Sequence, residues 1–242
     1  MATRTGVLSD VHGNLEALQE VLREGGRLGI DRWLSLGDIV GYGADPEACL
    51  TLILEHVDWS LLGNHDAAVA GVQGHEYFNR YARQAVAWTR EQLSDSSLKV
   101  LSDLPLTYQE TSRLYAHAEP SAPGDWHYVD DARDAKLALA TVDSAQVFVG
   151  HSHVGFVFAQ GSDRLVASRE GRIAVDSGRY LINVGSVGQP RDGDPRACFA
   201  VCDDEQGTIE LIRISYDLRT AQDKIRGAGL PEFLADRLTT GS

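Results

Sequence analysis

Five short segments of the chain contain His, Asp and Asn side chains of the kind that bind metal ions. Each segment follows a stretch that is predicted to be a β-strand. The segments are LSDVHGN with Asp10 and His12, LGDIVGYG with Asp38, LLGNHDA with Asn64, His65 and Asp66, RLYAHA with His117, and GHSH with His151 and His153. Ligands of open α/β sheets bind beyond the carboxyl ends of the strands, so we expect these loops to converge on one place.

The donor atoms of these segments are carboxylate oxygens, imidazole nitrogens and one amide oxygen, without a thiolate. Such nitrogen and oxygen donors suit Zn, Mn, Fe, Co or Ni, whereas a structural zinc site would be rich in Cys. Residues i and i+2 of an extended segment point to the same side, so each pair, Asp10 with His12 and His151 with His153, is expected to face one cleft. A lone Asp-x-His is usually structural, but the full set suits two ions that share a bridging carboxylate and activate a water.

A framework of strands and helices must position these loops, and the apolar pattern of the chain predicts one. Short apolar runs alternate with segments of helical period in the first half, which is typical of strands crossed by helices. The predicted strands are 5–9, 33–36, 58–62, 105–110, 112–116, 146–149, 155–159, 163–168, 172–175, 180–184, 197–202 and 207–215. The predicted helices are 15–28, one that starts at Asp45-Pro46, 79–93, 131–142 and 218–227. The second sheet is expected to be more antiparallel than the first.

The composition is that of a globular protein, with 242 residues, 43% hydrophobic and 24% charged residues. The net charge of −13 argues against stable binding to nucleic acid through a basic surface, although a bound metal can reverse the local charge for a phosphorylated substrate. We expect one domain over residues 1–242, with an ordered core over residues 3–228 and a tail that frays from Pro231.

Targeting signals and cysteine usage predict a cytoplasmic protein that binds no membrane. No apolar run approaches the ~18 residues of a spanning helix. The N-terminal MATRTGVLSD lacks the apolar core of a signal peptide. The three cysteines, Cys49, Cys198 and Cys202, form no CxxC pair and are expected to be reduced, buried thiols.

The succession DxH, GD, GNHD, H and GHSH, in this order, resembles the calcineurin-like metallophosphoesterase family. The closer resemblance is to the small prokaryotic phosphodiesterases of that family, which have a stretch like INVGSVGQPRDGDPRA near the end. The resemblance runs from about residue 5 to residue 202. It implies an α/β fold that is a four-layer α-β-β-α sandwich, with two mixed sheets flanked by helices. It leaves a homo-oligomer open.

The resemblance also implies roles for the site residues and two divalent metal ions as cofactors (Mn, Zn, Fe, Ni or Co). One ion would be held by Asp10, His12 and His153, the other by Asn64, His117 and His151, with Asp38 bridging and His65 as the catalytic histidine. The hypothesis that follows is hydrolysis of small phosphate esters, above all phosphodiesters. A hydroxide between the ions would attack phosphorus, and His65 would protonate the departing oxygen.

Two departures bear on the substrate. GDIVGYG stands in place of the GDxxDRG of the Ser/Thr protein phosphatases, and Ala67-Ala68 follows GNHD where those enzymes have Glu and Arg. Both count against the substrate clamp of a protein phosphatase. Val184 also stands where close relatives often have Pro. The alternatives are a partner-binding scaffold on the same fold, which the presence of His65 disfavours, a phosphomonoesterase or protein phosphatase, and a dinucleoside polyphosphate hydrolase.

Several residues near the motifs have two interpretations. Asp66 either belongs to the site or supports it as a hinge, and segment 70–79 is either a lid or a surface connection. Trp126 and His127 either wall the substrate cleft or lie in a surface loop. Arg191, in GSVGQPR, either contacts phosphate or serves the loop itself. We expect the remaining histidines, His56 and His75, at the surface or in a loop.

Overall fold

The computed structural model describes residues 3–74, 78–162 and 164–242, and the strands of this part of the chain form two six-stranded sheets. The strands are β1 (Arg4–Leu8), β2 (Arg32–Ser35), β3 (Trp59–Ser60), β4 (Thr107–Glu110), β5 (Arg113–Ala116), β6 (Gln146–Val149), β7 (Gly155–Ala159), β8 (Leu165–Ser168), β9 (Gly171–Ala174), β10 (Tyr180–Val184), β11 (Ala197–Asp203) and β12 (Thr208–Ile214). The helices are α1 (Leu15–Leu28), α2 (Pro46–His56), α3 (Asn64–Ala70), α4 (Arg80–Gln92), α5 (Asp95–Ser102), α6 (Ala132–Thr141), α7 (Leu218–Gly227) and α8 (Glu232–Thr240), with a 3₁₀ turn at Pro123–Asp125.

Both sheets mix parallel and antiparallel strands. The first sheet has the order β3-β2-β1-β11-β12-β9, and the second has the order β4-β5-β6-β10-β7-β8. Each sheet has two parallel pairs and three antiparallel pairs, so the expectation of a more antiparallel second sheet is wrong. The reason is that the late strands β11 and β12 return to the first sheet, where β11 pairs antiparallel with β1.

Local signals in the sequence explain the helix that follows the first strand. Asn14 caps α1 by accepting a hydrogen bond from the backbone N–H of Ala17 at 3.2 Å. Gly29 ends the helix in the left-handed conformation. Leu18 and Val21 on one face of the helix are fully buried, so the amphipathic stripe packs on the first sheet.

Three apolar clusters separate the layers of the molecule. One lies between the two sheets, a second joins α1 and α2 to the first sheet, and a third joins α6 to the second sheet. Representative members are Leu36, Tyr115, Phe148 and Val184 between the sheets, Leu18, Ile53 and Phe199 outside the first sheet, and Leu139, Val147 and Phe158 outside the second. The four-layer sandwich implied by the resemblance is therefore confirmed.

The C-terminal segment differs from its sequence-based expectation. Residues beyond Pro231 form α8 instead of a frayed tail, and Leu234, Ala235 and Leu238 of this helix are buried. They belong to an apolar cluster with Ala221 and Ile225 of α7. A short helix of mixed composition gives a weak signal in the sequence, because its order comes from this packing.

Other observations concern the cysteines and the membrane. Cys49, Cys198 and Cys202 are buried and unpaired. Among the residues that the structure describes, no helix combines the length and the hydropathy that a membrane span requires.

Replacing Leu234 with Ala tests the packing of α8. The side chain is 0% exposed, so Leu234→Ala should lower the free energy of unfolding by about 2–5 kcal/mol. Leu54→Ala is the control, because Leu54 is 55% exposed on α2 and its loss should cost within about 0.5 kcal/mol. Urea unfolding of the chelator-treated protein measures both, and equal effects would show that α8 does not pack on the domain.

Candidate metal centre

The predicted ligands come from loops at the carboxyl ends of strands in both sheets. β1, β2 and β3 of the first sheet precede Asp10, Asp38 and Asn64, whereas β5 and β6 of the second sheet precede His117 and His151. The structure brings these side chains together into two groups that share one carboxylate. The groups are Asp10, His12, Asp38 and His153, and Asp38, His117 and His151, with the donor atoms of each group within 4.8 Å of one another.

The backbone reaches this arrangement through left-handed conformations. The φ angles are 55° at Asp10, 50° at His12, 53° at Asp38, 66° at His151 and 62° at His153. The premise of extended Asp-x-His and His-x-His segments is therefore wrong, and the two histidines of GHSH enter different groups. A non-glycine residue in this region costs about 1–3 kcal/mol, which the surrounding contacts must offset.

Each of the two carboxylates has one oxygen fixed by the backbone and the other turned toward imidazoles. Asp38 Oδ1 accepts a hydrogen bond from the His65 N–H at 2.8 Å, while its Oδ2 lies 3.5 Å from both His12 Nε2 and His117 Nε2. Asp10 Oδ2 accepts from the His151 N–H at 3.0 Å, while its Oδ1 lies 3.2 Å from His153 Nε2. Asp38 thus stands between the two groups.

Backbone carbonyls fix the orientation of the imidazoles in the first group. His12 Nδ1 donates to the carbonyl of Val40 at 3.1 Å, and His153 Nδ1 donates to that of Gln189 at 2.5 Å. Carbonyls only accept hydrogen bonds, so in the neutral rings both Nε2 atoms carry lone pairs. These two nitrogens face each other at 3.2 Å.

The second group is built in the same way. His117 Nδ1 donates to the carbonyl of Leu36 at 3.0 Å, and His151 Nε2 donates to that of Trp126 at 2.9 Å. The other nitrogens of the two rings, His117 Nε2 and His151 Nδ1, lie 3.2 Å apart. The amide oxygen of Asn64 is also 3.2 Å from His117 Nε2.

This donor set fits divalent cations. Asp10 Oδ1 is buried and has no hydrogen-bond partner among the described residues, and it faces the lone pairs of the first group. Ligands held about 2.0–2.2 Å from one ion lie roughly 3–3.5 Å from one another, which matches these separations. Hydrogen bonds from the far nitrogens to carbonyls are the usual support of metal-binding histidines.

The pKa values of the cluster's histidines, in the absence of a bound ion, also favour cation binding. Burial lowers the pKa of His12 and His153, and it lowers the pKa of His151 to about 3. Burial also acts on His117, but the carboxylate of Asp38 outweighs it and raises the pKa of His117 to about 9. A cation that binds here therefore displaces a proton from the cluster.

Asp66 joins two of the loops. Its carboxylate accepts hydrogen bonds from the backbone N–H groups of Ile39, Val40 and Gly63 at 3.1–3.2 Å. A side chain at Gly63 would place its Cβ 2.1 Å from Asp38 Oδ1, so the close approach of the loops requires glycine there. Asp66 is outside both donor groups and positions the loops that carry them.

His65 lies at the start of α3 beside the donor groups and is 4% exposed. Its ring is packed by His12, Tyr42 and Phe78, with centroid distances of 4.9, 4.3 and 4.6 Å. A Cβ at Gly41, whose φ is +91°, would lie 2.7 Å from His65 Nδ1. Burial lowers the pKa of His65 to about 4, so the ring is neutral near pH 7 in the chain alone.

A cleft of about 310 Å³ opens beside the cluster. The side chains that line it include Tyr42, Asn64, His65, Tyr128, Arg191 and Arg237. Sequence reasoning missed Tyr128, whose ring stacks on His151 at 4.1 Å, and Arg237 of α8. Tyr128 directly follows Trp126 and His127, which the sequence offered as a cleft wall, so that segment carried a signal, whereas Arg237 lies in no motif.

The residues with two interpretations are also placed. Trp126 lies against the ring of His117 at 5.9 Å, while His127 and His56 are exposed. Within segment 70–79, Gln73 accepts a hydrogen bond from Trp126 Nε1 at 2.6 Å, whereas residues 75–77, with His75, lie outside the described residues.

The GSVGQPR segment supports the Asp10 loop. The hydroxyl of Ser186 and the N–H of Gly188 both donate to the carbonyl of Asp10, at 2.8 and 2.9 Å. A Cβ at Gly188 would lie 1.8 Å from the carbonyl oxygen of Val11, so this contact is tight. The segment holds a predicted ligand in place from the second sheet's side.

A two-sheet sandwich with a His/Asp cluster at the ends of its strands is the architecture of metallophosphoesterases. Residues 4–207 match the calcineurin-like phosphoesterase superfamily domain. The chain therefore belongs to the calcineurin-like phosphoesterase superfamily, whose members are dimetal-dependent hydrolases of phosphate esters.

Individual relatives agree with this assignment. The chain is 41% identical over 241 residues to the uncharacterized protein MJ0912 of Methanocaldococcus jannaschii, and the match covers 97% of both proteins. It is similar to a metallophosphoesterase from Sphaerobacter thermophilus, with a TM-score of 0.90, 38% identity and 100% of both chains covered. The hypothetical protein PH1004 from Pyrococcus horikoshii OT3 shares the fold, with a TM-score of 0.81, 20% identity and 99% of both chains covered.

The shared position of Asp38 leads to a test of metal content. Asp38→Ala should reduce the metal bound per chain from about two ions to below about one, because both groups lose a ligand. Asp143→Ala, which removes an exposed carboxylate, should keep the full content. Both proteins are loaded with Mn²⁺, freed of excess metal by gel filtration and analysed by mass spectrometry. Full occupancy in Asp38→Ala would rule out a bridging role.

Proposed function

We propose that the chain is a dimetal phosphodiesterase. One ion would be held by Asp10, His12 and His153, the other by Asn64, His117 and His151, and Asp38 would be shared. The observation that carries the proposal is the position of Asp38 Oδ2, 3.5 Å from an imidazole nitrogen of each group. Divalent ions at such a site supply Lewis acidity, which lowers the pKa of water and stabilises negative charge on a phosphoryl group.

The chain's own residues orient the donors and exclude water from the cluster. The ligands supplied by the two sheets are almost fully buried, whereas Asn64 and His65 also border the cleft. Of the proposed ligands and the proposed proton donor, Asn64 and His65 are therefore the two that a phosphate in the cleft would contact. The hydrogen bond from the His65 N–H to Asp38 ties the position of this histidine to the shared carboxylate.

His65 is proposed to donate a proton to the departing oxygen. Its Nδ1 is buried and has no hydrogen-bond partner among the described residues, so the ring is not committed to a structural bond through that atom. Burial lowers the pKa of His65, and a phosphate group placed beside it acts in the opposite direction, because a negative charge favours the charged imidazole. Substrate binding would thus prepare the proton donor.

A small phosphodiester is the proposed substrate, and the cytoplasm the proposed compartment. The resemblance of the motif set to small prokaryotic phosphodiesterases supports the first, together with a cleft of about 310 Å³ and a net charge of −13 that disfavours long nucleic acid. The three unpaired, buried cysteines support the second.

His65→Ala tests the proton donor. We expect kcat to fall about 10²–10⁴-fold for a diester with an alkoxide leaving group, such as thymidylyl-thymidine. The loss should be smaller for bis(p-nitrophenyl) phosphate, whose leaving group needs little protonation. Metal content should stay unchanged, and His56→Ala on the exposed end of α2 is the matched control. Equal losses with both substrates would contradict proton donation.

A panel of phosphate esters tests the substrate class. With Mn²⁺ added, the protein should hydrolyse bis(p-nitrophenyl) phosphate faster than p-nitrophenyl phosphate, phosphopeptides and diadenosine tetraphosphate. Preference for one of the other three would identify a phosphomonoesterase, a protein phosphatase or a dinucleoside polyphosphate hydrolase. No turnover of any ester with Mn²⁺, Zn²⁺, Ni²⁺, Co²⁺ or Fe²⁺ would favour a partner-binding scaffold.

A further inference from the structure

Two arginines from distant parts of the chain meet on one wall of the cleft. Arg191 lies in the loop after β10, and Arg237 lies on α8. Both guanidinium groups donate to the same oxygen, Gln189 Oε1, each at 2.8 Å. We call Arg191 and Arg237 the arginine pair. α8 lies beyond residues 4–207, which match the family domain, so half of the pair comes from outside that domain.

No aspartate or glutamate side chain in the described part of the chain forms an ion pair with Arg191 or Arg237, whereas nine of the seventeen other arginines have such a partner there. Arg191 Nε is buried and lacks any hydrogen-bond partner among the described residues. Burial and the charge of Arg191 lower the pKa of Arg237 to about 10, so the guanidinium of Arg237 stays charged near pH 7.

Aromatic rings hold the pair close to His65. The guanidinium of Arg191 lies 5.7 Å from the centre of the Tyr42 ring, and this ring lies 4.3 Å from that of His65. The guanidinium of Arg237 lies 5.1 Å from the centre of the Phe233 ring. Each guanidinium thus has one side against an aromatic ring. Arg237 Nε also donates to the main-chain oxygen of Ser242 at 2.6 Å. The donors of the pair that can bind an anion are the terminal N–H groups that do not donate to Gln189.

We propose that the arginine pair binds a second phosphate group of the substrate, beside the phosphate that reacts at His65. This assignment rests on the proposed function. A phosphodiester carries a single negative charge, which the two proposed metal ions would neutralise. The arginine pair adds two positive charges that such a diester leaves uncompensated. Guanidinium groups bind phosphate oxygens through paired hydrogen bonds, so a phosphate dianion matches the pair in charge and geometry. The favoured substrates are phosphodiesters that carry a further phosphate.

Binding of pyrophosphate to the chelator-treated protein tests the pair without turnover. Arg237→Gln and Arg191→Gln should each raise the dissociation constant of pyrophosphate about tenfold, as measured by isothermal titration calorimetry. Arg219→Gln removes the same charge from a side chain that is 91% exposed on α7 and should bind as the unmodified protein does. Thermal midpoints of all variants show whether they fold. Absence of pyrophosphate binding, or equal constants in all folded variants, would overturn the proposal.

Turnover of two matched esters separates a second phosphate from the reacting one. The p-nitrophenyl ester of thymidine 5′-phosphate is compared with the same ester carrying a 3′-phosphate. We expect a higher kcat/KM for the 3′-phosphorylated ester, and a ratio that falls toward one in Arg237→Gln but not in Arg219→Gln. An unchanged ratio in Arg237→Gln would overturn the assignment. Failure to hydrolyse either ester would contradict the proposed function, while calorimetry still decides the role of the pair.

Discussion

The structure depends on holding the carboxylates of Asp10 and Asp38 among imidazole nitrogens inside the protein. Burying a charge is costly unless hydrogen bonds and opposite charges compensate it. Each carboxylate obtains one backbone N–H donor, from His151 or His65, and that bond turns the other oxygen toward the imidazoles. The first of these bonds crosses from one sheet to the other, as does the bond from His117 to the carbonyl of Leu36. The geometry of the cluster therefore depends on how the two sheets are aligned.

The loops that carry the ligands adopt unfavourable backbone conformations. Five of the predicted ligands have positive φ, and a single strained residue of this kind would be expected to relax. Here the loops restrain one another: Asp66 binds the backbone of two loops, and the segment around Ser186 and Gly188 holds the carbonyl of Asp10. Without a cation, the lone pairs of His12 Nε2 and His153 Nε2 face each other at 3.2 Å. Cations that bind the folded cluster would therefore increase the free energy of unfolding, in addition to their chemical role.

The cleft is electrostatically divided. The buried carboxylates and imidazoles lie behind Asn64 and His65 on one side of the cleft, and the opposite charge comes from Arg191 and Arg237 in a chain whose net charge is −13. In our proposal, a bound phosphate group would lie between the cations held by the ligand loops and the arginine pair, to which the loop after β10 and α8 each contribute one side chain. Arg237 lies outside the matched family domain, whereas Arg191 and all predicted metal ligands lie within it.

The sequence by itself determined the order of the motifs, the strands that precede them and the donor types. It did so because a loop that directly follows a buried strand must begin at the carboxyl end of that strand. It also indicated two packed sheets, although only through resemblance to a family. Tertiary structure decided the rest. Which sheet takes β11, how Asp10 and His153 bend into left-handed backbone, and why α8 is ordered all depend on contacts between residues far apart in the chain. Tyr128 and Arg237 reach the site only through such packing, and no local pattern encodes where a distant helix will place its side chains.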